Sequence, residues 1–102
     1  MAGNKAVYQE ALRKAASFAW DKQWKQAIPE YQRALAESPH DAVAWSDLAL
    51  ACVEVKRYAD ALNASARASE LKPDDLNLRL RLAQLQERLG KVEQALQSYL
   101  EL

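Results

Sequence analysis

Apolar residues recur along this chain at intervals of three and four, in six stretches separated by short polar breaks. That spacing gathers the apolar side chains of each stretch on one helical face and predicts helices near 5–21, 24–37, 42–55, 58–71, 76–89 and 92–102. Two of the breaks, Ser38-Pro39-His40-Asp41 and Lys72-Pro73-Asp74-Asp75, share one design. Each Pro disfavours helix in the residue before it, and the Asp residues that follow, Asp41, Asp74 and Asp75, can cap the free N–H groups of the next helix. Pro29 falls inside the second stretch but only about one turn from its start, where few intrahelical bonds are lost, so a mild bend is expected there.

Sliding the sequence against itself brings small residues, aromatics and prolines into register at an offset of 34 residues. Ala15, Ala49 and Ala83 align, as do Ala27, Ala61 and Ala95; Ala34 aligns with Ala68, Leu48 with Leu82, Pro39 with Pro73 and Asp41 with Asp75. Trp24, Tyr58 and Val92 form a further column. Each period therefore holds a helix, a turn and an antiparallel helix. The aligned alanines are the points where a small side chain lets a facing helix approach, and the aromatics fill the remaining volume. In the middle period Trp45, Leu48 and Cys52 of the first helix and Tyr58, Ala61 and Leu62 of the second give the pair apolar surface on both sides. Stacking successive pairs buries that surface.

Trp45, Leu48, Ala49, Tyr58, Ala61, Ala68 and Pro73 together resemble the pattern of the tetratricopeptide repeat family, whose period is about 34 residues. The first period matches through Phe18, Trp24, Ala27, Tyr31, Ala34 and Pro39, and the third through Leu82, Ala83, Gly90, Ala95 and Tyr99. Four positions depart from the pattern. Lys14 stands in place of Leu, Arg79 in place of Trp, Ser65 in place of an aromatic and Cys52 in place of Tyr. The resemblance implies an all-α, right-handed α-solenoid of three helix-turn-helix repeats, near 8–41, 42–75 and 76–102, in one domain spanning 1–102. The third repeat lacks its closing Pro and no capping helix follows it.

In that family the first helix of each pair lines a concave groove. Mapped here, the lining is Gln9, Leu12, Ala16, Ala19 and Trp20; then Val43, Ser46, Leu50, Val53 and Glu54; then Asn77, Leu80, Gln84, Glu87 and Arg88, with Asp47 and Arg81 beside the line. Members that hold the C-terminal carboxylate of chaperone peptides use Lys, Asn and Arg side chains, and the matching positions here are Leu12, Ala16, Asp47, Asn77 and Arg81. Only Arg81 retains the chemistry, and Asp47 would repel a carboxylate, so such tails are not expected partners. An amphipathic helix or extended peptide that inserts Leu-like side chains suits the groove better, with Glu54, Glu87 and Arg88 orienting it.

A second expectation concerns the end of the chain, where Leu96, Tyr99, Leu100 and Leu102 have no following repeat to cover them. Either a longer protein continues past residue 102 or two copies meet through this face, giving a homo-oligomer. The turns within the repeats bear on the same question. The third has Gly90 where its first helix must stop, but Lys22 and Lys56 occupy the equivalent places. Lysine adopts the left-handed ending at a penalty of about 1 kcal/mol or more, which leaves a fused helix and an exchanged dimer as alternatives to the ordinary hairpin.

Charge and composition narrow the function. Fourteen basic residues balance fourteen acidic ones, so the basic stripe of a nucleic-acid binder is missing. No apolar run approaches the ~20 residues that span a bilayer, and the N-terminus turns polar early, so neither a membrane nor a secretory signal is expected and the location expected is cytoplasmic. His40, the one histidine, lies in a turn. Cys52, the one cysteine, has Leu48, Ala49 and Val55 as helix neighbours and reads as a buried, inert thiol. With no Gly-rich phosphate loop and no cluster of metal ligands, the expectation is a non-catalytic scaffold without cofactor or metal, whose partner is a protein or peptide.

Overall fold

The computed structural model describes residues 3–102; residues 1 and 2 of the expected domain lie outside the described residues. Six helices follow one another: α1 (Lys5–Trp20), α2 (Trp24–Glu37), α3 (Ala42–Glu54), α4 (Tyr58–Leu71), α5 (Leu76–Arg88) and α6 (Val92–Leu100). Three antiparallel pairs, α1/α2, α3/α4 and α5/α6, stack in order, and substantial packing runs between neighbours along the chain. The result is an all-α helical-repeat solenoid measuring 41 × 26 × 19 Å.

The helix ends explain why the pairs fold back. Asp41 Oδ1 accepts from Ala44 N at 3.0 Å and caps α3. Asp75 Oδ1 accepts from Asn77 N at 3.0 Å and Leu78 N at 3.2 Å and caps α5. Asp74 does not serve as the expected cap: it lies one residue too early, in the exposed Pro73-Asp74 turn. Asn4 caps α1 through Val7 N at 3.1 Å. In the first inter-repeat turn the Trp45 indole Nε1 donates to the Pro39 carbonyl at 2.8 Å. Arg79, at the corresponding place in the third repeat, instead donates through Nη2 to the carbonyl of Glu101 beyond the end of α6. Pro29 sits in the first turn and a half of α2, which continues unbroken to Glu37.

All three turns within the pairs have the same hydrogen bonds. Gln23 N donates to Phe18 O at 2.8 Å and Lys22 N to Ala19 O at 3.0 Å; Arg57 N donates to Cys52 O at 2.8 Å and Lys56 N to Val53 O at 3.0 Å; Lys91 N donates to Gln86 O at 2.9 Å and Gly90 N to Glu87 O at 3.1 Å. This six-to-one and five-to-two pairing is the Schellman ending, which needs a left-handed residue at its centre. Lys22, Lys56 and Gly90 supply it with φ of 59°, 65° and 77°. Within each pair the chain thus makes the ordinary turn and not the fused helix: lysine accepts the left-handed conformation because two backbone bonds and the packing of each pair hold it there.

The core is concentrated in the first two pairs. One cluster joins Ala15, Ala27, Ile28, Tyr31 and Leu35 to Ala44, Leu48, Ala49, Ala51, Cys52, Ala61 and Ala64, and reaches α5 only at Leu85. A smaller one links Ala42, Ala68 and Leu78 across the second inter-repeat turn, with Trp45 and Leu71 against it. Buried side chains thin toward the chain's end, and α6 contributes Ala95 alone. Lys14 avoids the core that Leu48 enters at the equivalent place of the second repeat; it is exposed and pairs with Glu10 at 3.0 Å. Cys52 is buried where the family pattern has Tyr.

Candidate functional site: an apolar groove between α3 and α5

The helical repeat sets Ser46, Ala49, Leu50 and Val53 along one face of α3, and the next pair brings Arg81, Gln84, Leu85 and Arg88 of α5 opposite them. Between these faces lies a half-open pocket of ≈ 260 Å³, floored by Ser65 of α4. Leu50 is 52% exposed at its mouth, while Leu85 is buried. Across the groove Arg81 Nη1 donates to Ser46 Oγ at 2.7 Å, tying α5 to α3.

Asp47 stands beside this bond. Burial pushes its carboxyl above the ordinary aspartate value, the nearby Arg81 guanidinium opposes that rise, and Asp41 adds to it. The Tyr31 phenol is pushed up to about 12, first by burial and then by the charge of Asp47. A second polar tie holds the first inter-repeat junction, where the Tyr8 hydroxyl donates to Asp41 Oδ2. That bond is the main reason the Tyr8 phenol titrates above its usual range.

Of the lining expected from the sequence, the structure brings Ser46, Leu50, Val53, Arg81, Gln84 and Arg88 together around this pocket. The rest lie along the face without entering it. Val43 is 57% exposed and Leu80 36% exposed, and Glu54, Asn77 and Glu87 are exposed as well. On α1, Leu12 and Ala19 pack against the core, whereas Gln9 and Ala16 remain exposed and Trp20 stands out at 87% exposure. Ser65, Ala49 and Leu85 are lining residues that the mapping of first helices missed. The signal for Ser65 was its column, Tyr31, Ser65 and Tyr99, which has lost an aromatic in the middle repeat.

At the chain's end Leu96, Leu100 and Leu102 are exposed, and Val92 joins Leu96 and Leu100 in a stripe at intervals of four. Tyr99 does not lie open with them. It is half-buried, and its hydroxyl donates to Glu87 Oε1 at 2.8 Å, which raises its phenol pKa. No described helix is long and apolar enough to cross a membrane.

Several known proteins are similar to this chain. Superkiller protein 3 of Schizosaccharomyces pombe is 40% identical over 81 residues, which is 79% of this chain and 6% of that protein. Superkiller complex protein 3 of Mus musculus is 33% identical over 103 residues, 92% of this chain and 7% of that protein. The chain thus spans well under a tenth of the length of these relatives. Among solved structures, the TPR2B domain of yeast Sti1 in complex with pHsp70 matches with a TM-score of 0.84 at 21% identity, over 92% of this chain and 75% of that one. The second TPR of Spaghetti (RPAP3), bound to the HSP90 peptide SRMEEVD, matches at 0.83 and 22% identity, over 94% of this chain and 89% of that one. MamA from Desulfovibrio magneticus RS-1 matches at 0.86 and 24% identity, over 92% and 53%. At such identities these structures establish the shared fold, and the family itself is settled by sequence. A tetratricopeptide repeat model matches residues 21–64 and 53–102, so the chain, with its three helix pairs and Schellman turns, belongs to the tetratricopeptide repeat family, whose fold mediates protein–protein interaction.

Proposed function

We propose that this chain is a non-catalytic interaction module, a scaffold of repeats near 8–41, 42–75 and 76–102 that holds an apolar helical or extended segment of a protein partner in its concave groove. The observation that carries this reading is the exposed apolar wall at the groove, Leu50 above Ala49 and Val53, facing Leu85. Apolar surface of this kind on a rigid array gains free energy when an inserted side chain replaces water. The groove suits side-chain insertion better than capture of a terminal carboxylate. At the positions matching a carboxylate clamp, Leu12 and Ala16 offer no side-chain donor and Asp47 is acidic, which leaves Arg81 as the one cation. The balanced charge disfavours nucleic acid, and a cytoplasmic setting fits the single buried thiol.

The experiment is selection of a random dodecapeptide display library on the immobilised chain, followed by Leu50→Ala/Val53→Ala in the same format. Enriched apolar peptides that lose affinity for the double variant, with its thermal melt little changed, support the groove. Retained affinity refutes it.

A second reading is favoured by the α6 stripe. Val92, Leu96 and Leu100 are 67%, 58% and 78% exposed, enough apolar surface for a second copy to cover. Light scattering across a concentration series decides it: a strict monomer removes self-association, and a dimer that Leu96→Glu dissociates supports it.

A further inference from the structure

The groove of the proposed function has one feature that the repeat itself does not require. Tyr31, Ser65 and Tyr99 occupy equivalent places in the second helices of the three pairs. Tyr31 is buried in the cluster that holds Ala15 and Ala51, so in the first repeat its ring fills the space between α1 and α3. In the second repeat the ring is absent, and the equivalent space between α3 and α5 is the pocket above Ser65. At ≈ 260 Å³ this space exceeds the roughly 150 Å³ of an apolar cavity that admits benzene. Its walls, Ala49, Leu50, Val53 and Leu85, are apolar.

The rim is cationic. Arg81 and Arg88 both line the pocket, among the described residues no carboxylate lines it, and neither arginine makes a salt bridge; Asp47 lies near enough to Arg81 to feel its charge, whereas Arg88 carries no such neighbour on the rim. They are two helical turns apart on α5, about 10 Å along its axis. Arg81 keeps further N–H donors beyond the one given to Ser46. Carboxylates on one face of an extended peptide, two or four positions apart, span about 7 or 13 Å, which brackets this separation.

Resting on the groove reading, we infer that this pocket receives one aromatic side chain of an acidic peptide segment. The ring takes the place over Ser65 that tyrosine holds in the neighbouring repeat, and acidic residues within about three positions of it engage Arg81 and Arg88. The module thus completes its own column with a partner's ring. Apolar walls favour the ring, and charge-assisted bonds at the rim fix which neighbours it must have.

The test compares dodecapeptide selections on the wild-type chain and on three variants. Ser65→Tyr restores the internal column, Gln84→Phe places a ring over the pocket from an exposed rim position without disturbing the core, and Arg88→Gln removes one charge. The wild type is expected to enrich peptides with an aromatic residue and Asp or Glu within three positions. Ser65→Tyr and Gln84→Phe are each expected to weaken those peptides by about tenfold or more while the melting temperature holds or rises. Arg88→Gln is expected to keep the aromatic and relax the acidic preference. If the wild type enriches apolar peptides without that motif, or both pocket-filling variants bind the motif as the wild type does, the pocket inference falls and the groove reading stands. If the wild type enriches nothing, both fall.

Discussion

Replacing Lys56 by Gly isolates what a left-handed lysine costs this fold. At φ 65° the lysine Cβ crowds its own backbone, a penalty of about 1 to 2 kcal/mol that glycine does not incur. Glycine returns part of the gain, because a more flexible unfolded chain costs about 0.4 to 1 kcal/mol, and loss of a cation near the α3 C-terminus returns about 0.3 kcal/mol more. The net expectation for Lys56→Gly is a stabilisation of about 0.5 kcal/mol, or roughly 2 to 4 °C in Tm for a domain of this size. Lys22→Gly, in a turn with the same hydrogen bonds, should add a similar amount. The third turn provides the reverse experiment. A Cβ built on Gly90 meets no atom within 4 Å, so Gly90→Lys suffers no collision and tests conformation alone. It should lower Tm by a similar margin. Circular-dichroism melts of the three single variants and the double glycine variant suffice. Unchanged or lower Tm in both glycine variants, with Gly90→Lys neutral, would refute the assignment of strain to these lysines.

Three other outcomes follow from a polar tie and from two buried side chains. Asp41→Ala removes both a helix cap and the Tyr8 bond and should cost about 2 kcal/mol in urea denaturation, roughly twice the loss for Asp75→Ala, which removes a cap alone. For Asp47, burial raises the folded-state pKa above the ordinary 3.8, so its contribution to stability is greatest at low pH and falls as pH rises through the window above that value. Asp47→Asn should therefore melt higher than the wild type at pH 7, with the difference shrinking toward pH 4; a constant difference would contradict the burial of its charge. The Cys52 thiol is buried and its pKa pushed up by that burial, so iodoacetamide at pH 8 should label it slowly in the native chain and rapidly in guanidinium. Fast native labelling would mean that α3 opens readily.

Much of the fold was legible because its determinants repeat. The alanine columns, the Pro-x-Asp turns and the helical stripes each recur at one offset, so local signals reinforced one another. Helix ends were off by a residue or two because Asp21, Val55 and Leu89 look like ordinary helix formers or neutral residues, and only the Schellman bonds make them caps. The candidate site was legible in part. The mapping from the family resemblance put Leu50, Val53, Gln84 and Arg88 on one face, and all four line the pocket, but it could not show that Arg81 reaches Ser46 or that Tyr99 turns back to Glu87. Those contacts depend on how far a long side chain extends between helices, which a residue's place in the period does not specify. Ser65 was visible as a departure from the family pattern. That its missing ring becomes a pocket depends on the separation of α3 and α5, a property of the stack.

The thinning of buried side chains toward α6 gives the solenoid a direction. In an array held mainly by neighbouring contacts, the pair with the fewest buried groups opens first, and hydrogen exchange should run from α6 inward while α2 and α3 stay closed. The Ser65 pocket lies on that frontier, between the protected part of the stack and its loose end. A side chain seated there would add a rung to the ladder, and α5 and α6 would exchange more slowly when the partner is bound.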